Sequence, residues 1–188
     1  MTYEKLDNDE LLRIALDAVN QDHHADAVSM LKTLLERDPK HVLATYLLAA
    51  EHAQLGMMDR AEEGFRKTVQ MAPDFPIARF QLGQMCLVKG DAAGAAAILA
   101  PLAGLPANLA LSHYAKGLIA AAGESASEAI LHLQDGLACA QDIPALAGDM
   151  RGVIDRLIAL GTDPRPMVAS PPPSAAPMFL SNYGKSGS

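Results

Sequence analysis

A pattern of residues recurs every 34 positions along most of this chain, and it restricts the possible folds more than any other feature of the sequence. In four places a small residue is followed four positions later by a larger apolar one: Ala27 and Leu31, Ala61 and Phe65, Ala95 and Leu99, and Ala129 and Leu133. Turn signals precede these pairs in the same register, at Asp22, Gly56, Gly90 and Gly123–Glu124. Repetition at a fixed period of roughly 20–50 residues is typical of stacked repeat folds. Each unit is predicted to form two antiparallel helices of about a dozen residues joined by a short turn.

The repeated alanines and prolines have physical reasons. A side chain no larger than a methyl group lets two helices cross at close approach, which explains a small residue at the same place in every unit. Pro39 and Pro73 are also 34 residues apart. Proline is poorly tolerated inside a helix and restricts the residue before it, so each proline is expected between the second helix of one unit and the first helix of the next.

This spacing resembles the tetratricopeptide repeat (TPR) family over roughly residues 8 to 141. The resemblance implies an all-α, right-handed solenoid of about four helical hairpins, with units at about 8–41, 42–75, 76–109 and 110–143. The chain departs from the family pattern in every unit at the usual aromatic residue near the start of the first helix, which is replaced by Leu11, Thr45, Arg79 and His113. In the fourth unit Lys116 also replaces an apolar residue. The fourth unit therefore matches the family pattern less regularly than the other three.

Residues 145–160 are predicted to form a helix that caps the array. Its apolar residues share one face, and they are Leu146, Met150, Val153, Ile154 and Leu157. Asp149, Arg151, Asp155 and Arg156 are expected elsewhere on the helix, which Gly161 is expected to end. A one-sided helix suits the exposed apolar end of a repeat stack. Residues 1–160 are thus predicted to be the repeat domain and 161–188 a proline-rich disordered tail.

Composition and charge exclude several classes of function. A formal net charge of −7 argues against nucleic acid, which requires clustered Lys and Arg. Cys86 and Cys139 lie far apart and indicate neither a zinc site nor a dithiol motif.

The start, MTYEKLDNDELL, lacks the pattern of a secretory signal, so a cytoplasmic location is predicted. The uncharged stretch 92–115 is interrupted by glycine and proline, so no membrane insertion is predicted.

The resemblance implies a concave surface lined by the first helix of each unit, where a polypeptide would bind. The peptide-binding residues it implies are Leu12, Leu16, Val19, Leu43, Tyr46, Ala50, Ile77, Phe80, Gln84, Leu87, Tyr114 and Leu118. Nearly all are apolar, which favours an extended peptide or an amphipathic helix as the ligand. Leu12, Tyr46, Phe80 and Tyr114 also repeat in register. The alternative is that these residues only pack between neighbouring units.

The tail contains an apolar cluster that disorder does not require: Met178, Phe179, Leu180 and Tyr183. We expect this cluster either to fold back into the groove or to dock on a second copy of the chain, which would make a homo-oligomer. About fifteen extended residues at roughly 3 Å each could span the distance. The alternative is an ordinary flexible terminus.

No pattern of catalytic or cofactor-binding residues emerges from the sequence. His23 and His24 lie between Asp22 and Asp26, but adjacent residues point in different directions, so a solvated turn is favoured over a metal site. His52, His113 and His132 have no partner at a spacing typical of catalysis. The sequence therefore predicts neither enzyme activity nor any cofactor or metal.

The sequence thus predicts a protein-binding adaptor or scaffold. One alternative is a chaperone like the small acidic TPR chaperones of bacterial secretion systems, which the chain resembles in layout only. The other is a self-associating structural protein or a regulatory subunit.

Overall fold

The structure is a computed structural model that describes residues 6–107, 109–141 and 143–162. Over these ranges the chain forms nine α-helices and no strand. In chain order they are α1 (Asn8–Asn20), α2 (His24–Arg37), α3 (Val42–Gln54), α4 (Met58–Met71), α5 (Pro76–Val88), α6 (Ala92–Ala103), α7 (Ala110–Ala122), α8 (Ala126–Ala138) and α9 (Pro144–Thr162). The all-α repeat fold predicted from the sequence is confirmed.

The turn inside each hairpin contains one residue with a positive φ angle, and these four residues keep the 34-residue period. They are Asp22 (57°), Gly56 (73°), Gly90 (77°) and Glu124 (61°). A left-handed residue ends a helix and reverses the chain sharply, and glycine adopts this conformation with the least strain. Two of the four turns are therefore made by residues with a β-carbon.

Side chains at the helix starts accept hydrogen bonds from backbone amides that have no partner within the helix. Asp7 caps α1, accepting from the Glu10 amide at 2.8 Å, while the Glu10 carboxylate accepts from the Asp7 amide at 3.0 Å. Asp91 caps α6 by accepting from the Gly94 amide at 2.8 Å. His41 caps α3 through Nδ1, which accepts from the Ala44 amide at 3.1 Å.

Packing divides the described chain into two units, one ending at Ala78 and the other beginning at Arg79. In unit 1, α1 packs on α2, α2 on α3, and α3 on α4. In unit 2, α6 packs on α7, α7 on α8, and α8 on α9. Helices that are neighbours in sequence are thus neighbours in space within each unit, as in helical hairpin repeats.

Very small residues set the helix spacing inside the hairpins. The four repeated alanines, Ala27, Ala61, Ala95 and Ala129, are fully buried. A β-carbon added to Gly83 of α5 would lie 2.5 Å from the Leu99 side chain, and one added to Gly117 of α7 would lie 2.7 Å from that of Leu133. Only glycine fits these two positions unless the neighbouring leucine moves.

The last helix differs from its predicted form in two respects. Gly161, expected to end it, lies within α9, which runs to Thr162; Gly161 does not adopt a positive φ angle and so does not terminate the helix. Leu146, Met150 and Ile154 are buried as expected, but Asp149 is also only 9% exposed. Asp149 precedes Met150 directly, so its carboxyl group lies at the edge of the buried face.

Candidate protein-binding surfaces

The twelve residues assigned to a peptide groove divide into two groups by exposure. Seven are buried, and they are Val19, Tyr46, Ala50, Ile77, Phe80, Tyr114 and Leu118. Five are half-buried, and they are Leu12, Leu16, Leu43, Gln84 and Leu87. Open surface for a partner is therefore limited to part of the predicted set.

The aromatic members of the set are packed within the chain. Tyr46 is 1% exposed, and its ring lies 5.8 Å from the ring of Phe65 and 5.0 Å from that of Phe75, centroid to centroid. Phe80 is fully buried. Aromatic pairs at these separations stabilise a core. The recurrence of aromatic residues in register thus coincides with burial.

Tyr114, the third aromatic residue, is held by a hydrogen bond as well as by packing. Its hydroxyl group donates to Oε1 of Gln141 at 2.7 Å. Burial raises the pKa of this phenol, and the hydrogen bond to Gln141 opposes the shift. The amide of Gln141 donates in turn to the carbonyl groups of Gly136 and Cys139 at 2.8 and 2.7 Å. Tyr114 therefore fixes the end of α8.

The accessible leucines of unit 1 lie beside the packing face of their helix. On α1, Leu11 and Ala15 are fully buried, whereas Leu12 and Leu16 are half-buried. Consecutive residues are separated by about 100° around a helix, so Leu12 and Leu16 form a second apolar row next to the buried one. Leu43, at the start of α3, is the third half-buried leucine of the set in this unit. In unit 2, Gln84 and Leu87 occupy one side of α5.

A cationic cleft opens on unit 1 between α2, α3 and α4. It has a volume of about 400 Å³ and is lined by Lys32, Leu35, Thr45, Leu48, Ala49, His52, Arg60, Glu63, Gly64 and Lys67. Three of the lining residues carry positive charge at neutral pH and one carries negative charge. None of the twelve predicted groove residues lines this cleft, which makes it a separate surface that the sequence did not predict.

His52 is a buried titratable residue of the cleft. It is 8% exposed, and its Nε2 atom makes no hydrogen bond within the described residues. Burial lowers the pKa of this imidazole, and the positive charges of Lys32 and Arg60 lower it further. His52 is therefore neutral at physiological pH.

The fold and these surfaces can be compared with known proteins. The family model described as "Tetratricopeptide repeat" matches residues 12–74 and 51–105, which together span half of the chain. The chain belongs to the tetratricopeptide repeat family. Proteins of this family are in general non-catalytic protein-interaction modules.

Solved TPR structures share the fold at low sequence identity. TTC0263, a thermophilic TPR protein from Thermus thermophilus, aligns with a TM-score of 0.66 and 21% identity over 82% of this chain and 84% of that one. PilW, described as a type IV pilus biogenesis factor, aligns with a TM-score of 0.60 and 22% identity over 81% and 74%. MamA from Desulfovibrio magneticus RS-1 aligns with a TM-score of 0.60 and 19% identity over 96% and 99%. No curated protein matches the chain.

One polar pair of this TPR chain was missed from the sequence. Nδ1 of His24 donates to Oε2 of Glu51 at 2.8 Å, and Glu51 is fully buried. Burial raises the pKa of the Glu51 carboxyl group, and the hydrogen bond and charge of His24 oppose that shift. His23 is exposed as expected, whereas His24 contacts the second repeat. A single acid after the apolar run 42–50 was the only sequence signal of this pair.

The remaining expectations concern membranes and the tail. In the ranges that the structure describes, no helix is both long and apolar enough to cross a membrane. The tail cluster of Met178, Phe179, Leu180 and Tyr183 lies outside the described residues.

Proposed function

We propose that this chain is a protein-binding adaptor that holds a peptide or an amphipathic helix against the first helices of its repeats. Leu12, Leu16 and Leu43 are the contact residues of unit 1. The observation that carries the proposal is the second apolar row on α1, where Leu12 and Leu16 are only half-buried although Leu11 and Ala15 already fill the packing face. Apolar surface that packing within the chain does not cover is typical of an interaction site.

The partner should present apolar side chains at helical or extended spacing. Leu12 and Leu16 are four residues apart, so they complement a ligand with apolar residues one turn apart. The buried residues of the predicted set support this contact indirectly, because Tyr46 and Ala50 fix the helix to which Leu43 belongs. Gln84 and Leu87 are the half-buried candidate contact residues of unit 2.

Paired variants test this assignment. Wild type, Leu12→Glu/Leu16→Glu and the control Leu55→Glu/Met57→Glu are used to capture partners from lysate of the native cell, and circular dichroism checks that all three remain helical. Leu55 and Met57 are 47% and 40% exposed in the same unit, so the control adds the same charge to a surface at least as open. Charging Tyr46 or Phe80 instead would place a carboxylate at a buried site and disrupt folding.

The capture has distinct outcomes. A partner polypeptide that wild type and control retain and the Leu12/Leu16 variant loses supports the proposal. A partner retained by all three folded proteins contradicts the assignment to this face and moves the contact elsewhere. The identity of the partner then separates a general adaptor from the two rival roles, because a secretion chaperone would retain a secreted protein and a regulatory subunit an enzyme. A cytoplasmic location belongs to this proposal and is tested by fractionation.

Self-association through Met178, Phe179, Leu180 and Tyr183 is the remaining alternative. Light scattering of the full chain beside a version lacking residues 165–188 tests it directly. A mass that rises with concentration only in the full chain favours self-association, whereas a concentration-independent monomer contradicts it.

A further inference from the structure

Three side chains with metal-ligating atoms converge between α7 and α8 of unit 2. His113 lies on α7, and His132 and Asp135 lie three residues apart on α8. One ligand atom from each residue lies within 4.8 Å of the other two. Nδ1 of His113 is 3.9 Å from Oδ2 of Asp135, and the two imidazole centroids are 6.4 Å apart.

Hydrogen bonding assigns the tautomer of His113. Its Nε2 atom lies 2.8 Å from the carbonyl oxygen of Ala107. A carbonyl oxygen can only accept, so Nε2 carries the proton and Nδ1 presents a lone pair. That Nδ1 atom is buried and makes no hydrogen bond in the described part of the chain. An imidazole that donates from one nitrogen to a backbone carbonyl and leaves the other free is oriented as metal-binding histidines are.

His132 offers the same atom from the facing helix. Its Nδ1 is buried and has no hydrogen-bond partner among the described residues. Its Nε2 lies 3.8 Å from Oε1 of Glu128, one turn earlier on α8. The negative charge of Glu128 favours the proton on Nε2, which leaves the lone pair on Nδ1. Each histidine thus has a buried Nδ1 without a hydrogen-bond partner in the described residues, and each brings one ring nitrogen within 4.8 Å of the Asp135 carboxylate.

The repeat register shows that this cluster is particular to the fourth unit. The residues that correspond to His113 in the other units are Leu11, Thr45 and Arg79, and those that correspond to His132 are Met30, Gly64 and Ile98. In the fourth unit both facing helices thus carry histidine at these positions, and the two histidine side chains lie close together. An apolar side chain would suffice if these positions were only required for packing, and Leu11 and Met30 pack in this way in the first unit.

We propose that His113 Nδ1, His132 Nδ1 and the Asp135 carboxylate bind one divalent transition-metal ion of the Zn²⁺ class. Two imidazoles and a carboxylate suit Zn²⁺, Co²⁺ or Ni²⁺ better than Mg²⁺ or Ca²⁺, which prefer oxygen ligands. Water completes the coordination. The bound ion joins α7 to α8 and stabilises the fourth hairpin, and this role does not depend on the adaptor function.

Small side-chain movements bring the ligands into range. Tetrahedral Zn²⁺ with ligand bonds of about 2.0–2.1 Å requires ligand atoms about 3.3 Å apart. The Asp135 carboxylate is about half exposed and is free to rotate toward the two imidazoles, whose exposed fractions are 16% and 27%. The same exposure gives the ion a path from solvent.

Titration of the purified full chain with Zn²⁺, Co²⁺ and Mg²⁺ tests the site, read out by calorimetry, by the visible absorption of bound Co²⁺ and by the change in Tm. The variants are His113→Gln, His132→Gln and Asp135→Asn, with His23→Gln as the matched control because His23 is exposed and lies in the other unit. Circular dichroism of the metal-free proteins checks folding.

We expect one Zn²⁺ or Co²⁺ ion per chain, a raised Tm, and affinity at least about tenfold weaker in each site variant, with the control unchanged. Failure to bind Zn²⁺ at micromolar concentrations overturns the proposal. Zn²⁺ affinity that is unchanged in the folded His132→Gln variant, or Mg²⁺ binding as tight as Zn²⁺, overturns it as well. If a site variant fails to fold, the imidazole NMR signals of wild type still decide, because Zn²⁺ binding that leaves the signals of His113 and His132 unchanged contradicts the assignment.

Discussion

Nδ1 of His24 lies 2.8 Å from Oε2 of Glu51, so a residue at the start of α2 donates a hydrogen bond to a fully buried carboxyl group of α3. The pair connects the second helix of one repeat to the first helix of the next. The second oxygen of Glu51 makes no hydrogen bond within the described residues. A buried carboxylate with one partner is costly if that partner is removed.

Replacing His24 with alanine is expected to lower the free energy of unfolding by about 1–3 kcal/mol at pH 8. The pKa of Glu51 in the folded chain lies above its usual value of 4.5. Between the unfolded and the folded pKa the native chain therefore binds more protons than the unfolded chain, and the free energy of unfolding falls as pH rises through this interval. Without His24 the pKa rises further and the fall is larger. Urea unfolding at pH 5 and pH 8 measures both effects.

Two companion variants make the His24 test specific. His23→Ala changes an exposed neighbour and should leave stability within about 0.5 kcal/mol of wild type. His24→Ala combined with Glu51→Gln should recover part of the loss, because the buried charge is gone. An equal pH dependence in wild type and His24→Ala would contradict the account.

Asp149→Asn is expected to stabilise the protein at neutral pH and to have little effect near pH 4. Burial raises the pKa of this carboxyl group to about 6 from 3.8, although Arg156 opposes the shift. The native state therefore binds more protons than the unfolded state between these values, and stability falls as pH rises from about 4 to 6. Removing the charge should raise the free energy of unfolding by about 1–2 kcal/mol at pH 7.5. Thermal unfolding across pH measures it, with the exposed Asp155→Asn as control.

Glu124→Gly is expected to raise the free energy of unfolding by about 0.5–1 kcal/mol, because Glu124 adopts a φ of 61° that strains a residue with a β-carbon. Glu124→Ala removes the same charge and keeps the β-carbon, so it should give no such gain. Chemical denaturation compares the two. A gain of equal size from alanine would mean that charge, and not backbone strain, is responsible.

Gly117→Ala is expected to cost about 1–3 kcal/mol. The added β-carbon would lie 2.7 Å from the Leu133 side chain and 3.2 Å from the Ala129 carbonyl oxygen. Gly148→Ala, which meets no atom within 4 Å, should instead gain up to about 1 kcal/mol from helix propensity. A loss of stability in Gly117→Ala together with a gain in Gly148→Ala would establish the close approach of α7 and α8.

The 34-residue period predicted the helices and their turns because both depend on local signals. The sequence marks turns at Asp22, Gly56, Gly90 and Gly123–Glu124, and each of these turns contains a residue with a positive φ angle. The repeated alanines were likewise expected at helix crossings, and all are buried. Periodicity thus gives the architecture of a repeat protein directly.

The sites were predicted less well, because they depend on how neighbouring helices are rotated. His113 and His132 are 19 residues apart, and nothing in their spacing shows that they face each other. Tyr46 belongs to the predicted groove set, and Phe75, in the segment between α4 and α5, packs against its ring. Periodicity alone does not distinguish a buried face from one that waits for a partner.

The dissociation constant of a captured partner tests the central claim, protein binding through the apolar row on α1, most directly. It is measured by calorimetry for wild type, Leu12→Glu/Leu16→Glu and Leu55→Glu/Met57→Glu. We expect affinity at least about tenfold weaker, or 1.4 kcal/mol, for the Leu12/Leu16 variant and affinity close to wild type for the control. Equal dissociation constants for the three folded proteins would contradict the claim.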